Sequence, residues 1–204
     1  DTAYHEHYSY LSLTAVQRIF AANGLAVVDV QELPTHGGSL RVFAARADAA
    51  AHPQATPEGA ARVAQLLATE AAAGLLSEGF YSDFQPQALR IKRELLSFLL
   101  QCQAEGLTVG AYGAAAKGNT LLNFAGVRPD LLPYVADKNP AKQGQHLPGS
   151  RIPIVDEAHL RAHRPDRVLI LPWNLRDEVA GQLGYVREWG GKLVVAIPQL
   201  EVLE

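Results

Sequence analysis

The residues best suited to chemistry lie at the start of the sequence, in the run Tyr4-His5-Glu6-His7-Tyr8. An imidazole titrates near neutral pH, and an adjacent carboxylate can hold its tautomer, so this run is typical of a proton-transfer loop. In an extended loop, alternate residues share a side. Tyr4 and Glu6 are therefore expected on one side, and His5 and His7 on the other.

A second candidate is His36-Gly37-Gly38-Ser39, at a turn between two predicted strands. Glycines are expected here for turn geometry alone, although they also let another group approach the backbone closely. His36 leaves a metal site open, since it could join His5 and His7 around one ion. On the residues alone, the histidine-rich run is thus an acid–base loop, part of a metal site, or a solvated loop without function.

A third candidate spans residues 110–124, after the short β-type run Leu107-Thr108-Val109. Its small residues let the backbone approach an anion, and the helix that follows offers free N–H donors and a positive dipole end. Lys117 adds a point charge at the same place. The sequence matches neither the G-x-G-x-x-G nor the P-loop pattern. It therefore indicates a nucleotide site only weakly, and a turn that merely packs a helix on a strand remains open.

Polar residues also follow two later predicted strands, in Asp137-Lys138-Asn139-Pro140 and Pro172-Trp173-Asn174. Open α/β sheets bind ligands at the carboxyl ends of their strands. Asp137 lies roughly twenty residues past the glycine-rich loop, where a dinucleotide-binding fold places its ribose-binding acid. Asn139 and Asn174 can both donate and accept hydrogen bonds. Local turn or cap roles for Asp137 and Asn139 remain open.

The elements that position these residues follow from the hydrophobic pattern. Residues 1–47 predict a helix entered at Leu13-Thr14, with Thr14 as N-cap candidate, and then two strands joined by a turn, at 25–33 and 39–46. From residue 57 onward, helices and strands alternate, which predicts a parallel α/β sheet covered on both faces. The predicted helices are 57–76, 86–105, 157–163 with Asp156 as its cap, and 176–189. The predicted strands are 107–109, 132–137, 152–155, 167–172 and 192–197.

The composition argues against several classes of function. Of the 204 residues, 48% are hydrophobic, so a core is expected, and the net charge of −3 gives no support for binding nucleic acid or an anionic membrane. No apolar stretch is long enough for a membrane span. The single Cys102 fits a reducing, cytoplasmic compartment and leaves no cysteine zinc site. Since the sequence contains no methionine, we interpret it as part of a longer protein.

Five motifs occur in an order that resembles a known family: Tyr4-His5-Glu6-His7-Tyr8-Ser9-Tyr10-Leu11-Ser12, His36-Gly37-Gly38-Ser39-Leu40-Arg41, Tyr112-Gly113-Ala114-Ala115-Ala116-Lys117-Gly118-Asn119-Thr120, Asp137-Lys138-Asn139-Pro140-Ala141-Lys142-Gln143-Gly144 and Leu171-Pro172-Trp173-Asn174. As a set they resemble the C-terminal half of the S-adenosylmethionine-dependent sugar C-methyltransferases. Those enzymes methylate a ring carbon of TDP-linked 4-keto-deoxysugars in antibiotic biosynthesis. The resemblance covers essentially the whole chain.

The resemblance implies three parts in the family: an N-terminal cysteine module that holds zinc, a methyltransferase domain, and a C-terminal Rossmann-like domain. By this comparison, residues 1–47 are the end of the methyltransferase domain, and their helix and β-hairpin complete its sheet. Residues 48–56 are a linker, and residues 57–204 are the Rossmann-like domain, a parallel sheet with helices on both faces. The S-adenosylmethionine and zinc sites then fall outside this chain, and no metal is expected in it.

The family's chemistry gives the first loop a role. A proton on the carbon beside a ketone is removed, and the enolate attacks the methyl sulfonium. The resemblance implies His7 as the base, Glu6 and Tyr4 beside it, and His36 near the same cleft. Residues that would line the nucleotide-sugar site are Tyr112, Lys117, Asn119, Asp137 and Asn139. The alternative is a stand-alone Rossmann-like nucleotide-binding or regulatory module without catalysis.

Overall fold

A computed structural model describes residues 7–35, 38–48 and 55–203. The described residues form two compact units, 7–85 and 86–203, and each is considered by itself. The candidate residues Tyr4, His5, Glu6 and His36 lie outside the described part of the chain, as does most of the predicted linker. Predictions on those residues therefore stay predictions.

The first unit combines a helix, a hairpin and a second helix. Its elements are α1 (Leu13–Ala22), β1 (Leu25–Leu33), β2 (Ser39–Arg46), α2 (Pro57–Ala72) and the short α3 (Gly79–Ser82). β1 and β2 pair antiparallel, with a register shift between Val27 and Asp29. The helix followed by an antiparallel hairpin is thus confirmed. A small core joins the three elements through Leu13, Val30 and Val63.

Helix α2 packs within this first unit. Thr56 caps it by accepting a hydrogen bond from the Gly59 N–H at 3.0 Å, and Pro57 occupies its first turn, where a missing N–H does no harm. Val63 is buried against the hairpin and α1. The two compact units divide after residue 85. The predicted domain boundary at residues 48–56 stays a prediction.

The second unit is built on a six-stranded sheet. After α4 (Phe84–Ala104) come β3 (Val109–Tyr112), α5 (Ala116–Ala125), β4 (Val135–Ala136), β5 (Ile154–Val155), α6 (Glu157–His163), β6 (Arg167–Ile170), α7 (Arg176–Gln182), β7 (Lys192–Val195) and β8 (Glu201–Leu203). The strand order is β5-β4-β3-β6-β7-β8. All neighbours are parallel except β7 and β8. This is the order of a Rossmann-like sheet with an antiparallel edge strand.

Alternate residues of each strand pack on opposite faces of this sheet, as the pleat requires. One face carries Ala111, Leu169 and Val194 against α4 and α5. The other carries Tyr112, Val168 and Leu193 against α6 and α7. The predicted α/β fold with helices on both faces is therefore confirmed. None of the described helices is both long and apolar enough to cross a membrane.

Candidate functional site

The strand order reverses beside β3, which lies between β4 and β6. The chain leaves β3 through α5 to build one side of the sheet, and then returns through α6 to build the other. Ligands of open α/β sheets bind at the carboxyl ends of the strands around such a switch point. We call this region the carboxyl-edge site. It comprises residues 113–119 after β3, residues 137–143 after β4 and residues 171–174 after β6.

Two glycines allow α5 to pack directly on the end of β6. A Cβ added at Gly113 would lie 2.6 Å from Cδ of Pro172, and this residue has a positive φ of +86°. A Cβ added at Gly118 would lie 2.6 Å from Cβ of Leu171. Both distances are too short for any side chain. The small residues of the loop are thus explained by packing, whatever else the loop binds.

Asp137 holds the loop after β3 in place. Its Oδ2 accepts hydrogen bonds from the Ala114 N–H at 2.7 Å and from Lys142 Nζ at 3.3 Å, while its Oδ1 accepts one from the Asn139 N–H at 2.8 Å. Lys142 Nζ also donates to the Ala114 carbonyl at 2.9 Å. Asp137 is only 8% exposed. A buried carboxylate bonded in this way fixes two loops to each other.

The amino terminus of α5 offers hydrogen-bond donors at this edge. Ala115 is the N-cap residue, and no side chain caps the helix. Ala116, the first helical residue, is exposed. The first backbone N–H groups of a helix have no partner within the helix, and together with its dipole they favour an anion.

Lys117 adds a buried cation to the same turn. It is 9% exposed, and its Nζ donates to Asn174 Oδ1 at 2.7 Å and lies 5.1 Å from the centre of the Trp173 ring. Burial lowers the pKa of Lys117. In the described part of the chain, no ion pair to Lys117 is found. A cation at the positive end of a helix dipole, with no ion-pair partner among the described residues, suits an anionic ligand.

The other sequence candidates at this edge have local partners. Asn119 Oδ1 accepts a hydrogen bond from Asn123 Nδ2 at 3.1 Å. Asn139 Oδ1 accepts one from the Ala141 N–H at 3.0 Å, which closes a short turn. The Tyr112 hydroxyl is buried in the face that α6 and α7 cover. Burial, aided by the charges of Glu157 and Asp137, raises the pKa of Tyr112 to about 12.

In the first unit, His7 lies in an exposed segment that runs up to α1. Its ring meets the Tyr10 ring edge-on, with the ring centres 5.6 Å apart. Residues 7–11 are all exposed, while Leu13 at the start of α1 is fully buried. The histidine is therefore accessible on a segment whose far end is fixed in the core.

That fixed end depends on Glu70 of α2. Its carboxylate accepts hydrogen bonds from the N–H groups of Leu13 at 2.7 Å and Thr14 at 2.8 Å, and from the Thr14 hydroxyl at 2.5 Å. The helix cap itself is Ser12, whose Oγ accepts from the Ala15 N–H at 3.1 Å. Thr14 as N-cap was therefore wrong, because its hydroxyl is bonded to Glu70. Burial raises the pKa of Glu70, but these hydrogen bonds outweigh burial and leave it below its ordinary value.

Two comparisons with known proteins show which family the chain belongs to. The profile of a family described as the C-methyltransferase C-terminal domain matches residues 34–198. The chain is also similar to C-methyltransferase NovU of Streptomyces niveus, at 38% identity over 203 residues, which is 100% of the chain and 47% of that protein. The chain belongs to the C-methyltransferase family. It spans about half the length of this curated relative.

At the carboxyl edge, the acid position that could hold the ribose of S-adenosylmethionine carries a carboxylate with partners inside the protein. A fold that holds an adenosine ribose uses an acid at the end of the second strand. Asp137 stands at that position, but its oxygens already accept from Ala114, Asn139 and Lys142. Within the described ranges, no group of three or more His, Cys, Asp or Glu residues could hold a metal ion. The three-histidine metal hypothesis involves His5 and His36, which lie outside those ranges.

Sequence reasoning had not singled out Lys142, Gln143 and Glu70. Gln143 Nε2 donates to the Asp137 carbonyl at 2.9 Å, so this glutamine and Lys142 brace the strand end together. A cation five residues after the acid in one short loop was a usable signal for Lys142. Glu70 had no local signal, because its partners lie 56 and 57 residues away.

Proposed function

We propose that the chain is the C-terminal part of an S-adenosylmethionine-dependent C-methyltransferase. Its substrate would be a nucleotide-linked 4-keto-deoxysugar, which the enzyme deprotonates at the carbon beside the keto group and then methylates there. The observation that carries the proposal is the identity of 38% with a C-methyltransferase along the whole chain. The zinc module and the methyl-donor site would lie in other parts of the protein. S-adenosylmethionine would supply the electrophilic methyl group.

His7 would take the proton. A proton beside a ketone is abstracted by a base that reaches the carbon and is unprotonated near neutral pH, and an imidazole side chain is suited to this task. The exposure of residues 7–11 supports this role, since the side chain is open to a substrate. Glu6, Tyr4 and His36 would orient His7 or bind the sugar.

The carboxyl-edge site would bind the diphosphate of the substrate. The uncapped start of α5 and the Lys117 ammonium group are both positive, and no described acid pairs with Lys117. Phosphate oxygens are the usual ligands of such a helix terminus. Asn119 lies one turn into α5 and would face the same ligand from there. Asp137 and Asn139 would position the loops, and Tyr112 would support the sheet beneath them.

A stand-alone dinucleotide-binding module is the competing function, and the Rossmann-like strand order favours it. The bonding of Asp137 weighs against it, because that carboxylate has three donors of its own. Calorimetry of the chain with thymidine diphosphate and with NAD separates the two. Binding of NAD in preference to thymidine diphosphate would establish the competing function.

The catalytic proposal is tested in the intact enzyme with His7→Asn, which keeps the size and polarity of the side chain. Methyl transfer should fall by about 10²- to 10⁴-fold, the usual contribution of one general base. Exchange of the substrate proton beside the ketone with deuterated solvent should fall equally, while S-adenosylmethionine still binds. His146→Asn, at an exposed histidine of the other unit, is the matched control. Undiminished proton exchange in His7→Asn would rule out this histidine as the base.

The binding proposal is tested separately with Lys117→Met. Loss of one charge-assisted contact should weaken thymidine diphosphate binding about tenfold or more. Proton exchange at saturating substrate should change little. Lys192→Met is the control, because Lys192 lies exposed at the start of β7, outside the carboxyl-edge site. If both variants bind thymidine diphosphate like the unmodified chain, the phosphates bind elsewhere.

A further inference from the structure

The sheet of the second unit has a second concave region, at the edge opposite the carboxyl-edge site. Its cavity of about 500 Å³ is lined by the residues that lead into the strands: Thr108 and Val109 at β3, Pro133 and Tyr134 before β4, Pro153 before β5 and Pro165 before β6. We call it the amino-edge cavity. Its volume is in the range of small-molecule sites, about 300–1,000 Å³.

Two histidines of α6 form one wall of this cavity. His159 and His163 lie one turn apart, and their rings are stacked, with centres 3.7 Å apart and planes inclined by 16°. The edge of the Tyr134 ring meets His159, with ring centres 4.7 Å apart. Three aromatic rings therefore lie together where the strands begin. Flat aromatic faces of this kind stack well on another planar ring.

The hydrogen-bonding groups of this wall are set by its geometry. His163 Nδ1 lies 2.9 Å from the His159 carbonyl oxygen. A carbonyl only accepts, so Nδ1 carries a proton, and Nε2 is the acceptor in the uncharged ring. Burial lowers the pKa of His159, which favours its uncharged form. The Gln103 amide and the Asp130 carboxylate also line the cavity and add acceptors.

The charge of the lining excludes phosphates. None of the described residues that line the cavity is a lysine or an arginine, and its one carboxylate, that of Asp130, would repel an anion. The prolines that lead into β4, β5 and β6 have no N–H to donate. Tyr134 is 8% exposed, and its hydroxyl has no partner among the described residues. The hydroxyl itself has almost no accessible surface, so the Tyr134 ring borders the cavity and its oxygen does not.

We propose that the amino-edge cavity binds an uncharged, planar heteroaromatic molecule with a ring N–H donor, stacked on the His159–His163 pair. This site is separate from the carboxyl-edge site and does not depend on the methyl-transfer proposal. The ring N–H is met by the acceptors of the wall, and the ring faces are met by the imidazoles. The two edges of one sheet thus recognise opposite chemistries, an anion on one and a neutral ring on the other.

The test uses indole as the probe and the whole chain as the protein. Titration with indole should shift the NMR signals of the His159 and His163 rings with one shared, saturable curve, and leave the signal of His7 in the other unit unchanged. Indole-3-carboxylate has the same ring and an added charge. It should bind about tenfold more weakly, because no lining cation pairs with it.

Three variants of the second unit locate the site. Gln103→Trp fills the mouth of the cavity and should abolish saturable binding, while the matched Gln101→Trp, on the same helix but outside the lining, should leave it unchanged. His163→Ala removes one stacked ring and should weaken binding about two- to tenfold. Thermal unfolding confirms that each variant is folded. Absence of saturable shifts, equal binding of the charged analogue, or full binding by folded Gln103→Trp would each overturn the proposal.

Discussion

In each unit, a single carboxylate fixes a segment that carries candidate residues. The two carboxylates differ in how they hold their segments. In the second unit, Asp137 accepts a hydrogen bond from the Ala114 N–H and pairs with Lys142. In the first unit, Glu70 accepts from two N–H groups at the start of α1. Both bonds use a charged acceptor, and these are stronger than bonds between neutral groups.

The difference lies in how much of each segment is held. The loop before Lys117 is fixed at Ala114 by Asp137 and enclosed at Gly113 by Pro172. The segment that carries His7 is exposed over residues 7–11, and Glu70 holds its end where α1 begins. A preorganised loop lowers the entropy cost of binding a ligand, whereas an accessible side chain can reach a reacting atom. The contrast therefore supports a binding role for the loop before Lys117 and a catalytic role for the segment that carries His7.

Of the substitutions that test this comparison, the largest effect on stability is expected at Asp137. Asp137→Asn removes the charge that the Ala114 N–H and the Lys142 ammonium group share, and should lower the free energy of unfolding of the second unit by about 2–3 kcal/mol. Both tryptophans of the chain, Trp173 and Trp189, lie in this unit. Denaturant unfolding followed by tryptophan fluorescence therefore reports on it directly.

The control for that experiment is Asp177→Asn. The Asp177 side chain is 92% exposed and pairs with Arg176 at the surface, so the change should stay within about 0.5 kcal/mol. Equal effects of the two substitutions would show that Asp137 does not fix the loop.

The sequence predicted the helices and strands around Asp137 and Glu70 better than it predicted the hydrogen bonds of these two carboxylates. β1 and β2 were predicted with the bounds that the structure has, since long alternating or apolar runs identify strands. The position of Asp137 at the end of β4 was also predicted. Its donors were not, because a backbone N–H from residue 114 reaches it only after β3 and β4 pair.

Short elements were predicted least well. The predicted strand 132–137 is in fact the two-residue β4, and β8 was not predicted at all. Two or three residues are too few to show a period. The predicted helix 176–189 consists of α7 and a separate 3₁₀ helix, Gly184–Trp189. Thr14 was mistaken for the cap of α1 because its partner Glu70 lies on another helix, which local pattern cannot reveal.

A smaller effect on stability is expected at Glu70, the carboxylate that fixes the start of α1. Glu70→Gln keeps an acceptor but loses the charge, so the start of α1 should be destabilised by about 1–2 kcal/mol. Amide hydrogen exchange at Leu13 and Thr14 should then become about five- to thirtyfold faster. Glu105→Gln, at an exposed residue just after α4, is the control and should leave both amides unchanged.

The pH dependence of that effect has a defined sign. The pKa of Glu70 in the folded chain lies below its ordinary value of 4.5. The stabilisation is therefore fully present above that ordinary value and is lost as the pH falls through the folded value. The difference between the unmodified chain and Glu70→Gln should shrink in acid. A difference that stays constant down to acid unfolding would contradict the role given to the carboxylate.

The smallest effect has the opposite direction and concerns Lys117. Burial lowers the pKa of this lysine, so its charge disfavours the folded chain in the absence of an anion. Lys117→Met should raise the free energy of unfolding by about 0.5–1 kcal/mol at neutral pH, as expected where a binding residue is kept at the expense of stability. Denaturant unfolding measures this gain, with the exposed Lys192→Met as the control.

The gain should also depend on pH and on ligand. Since the folded chain releases the Lys117 proton at a lower pH than the unfolded chain, the penalty lessens as the pH rises through the folded value toward the ordinary 10.5. The advantage of Lys117→Met should shrink accordingly. Thymidine diphosphate should stabilise the unmodified chain more than the variant, because it binds the folded state through that charge. A variant less stable than the unmodified chain at neutral pH would show that Lys117 serves the fold through Asn174 and Trp173.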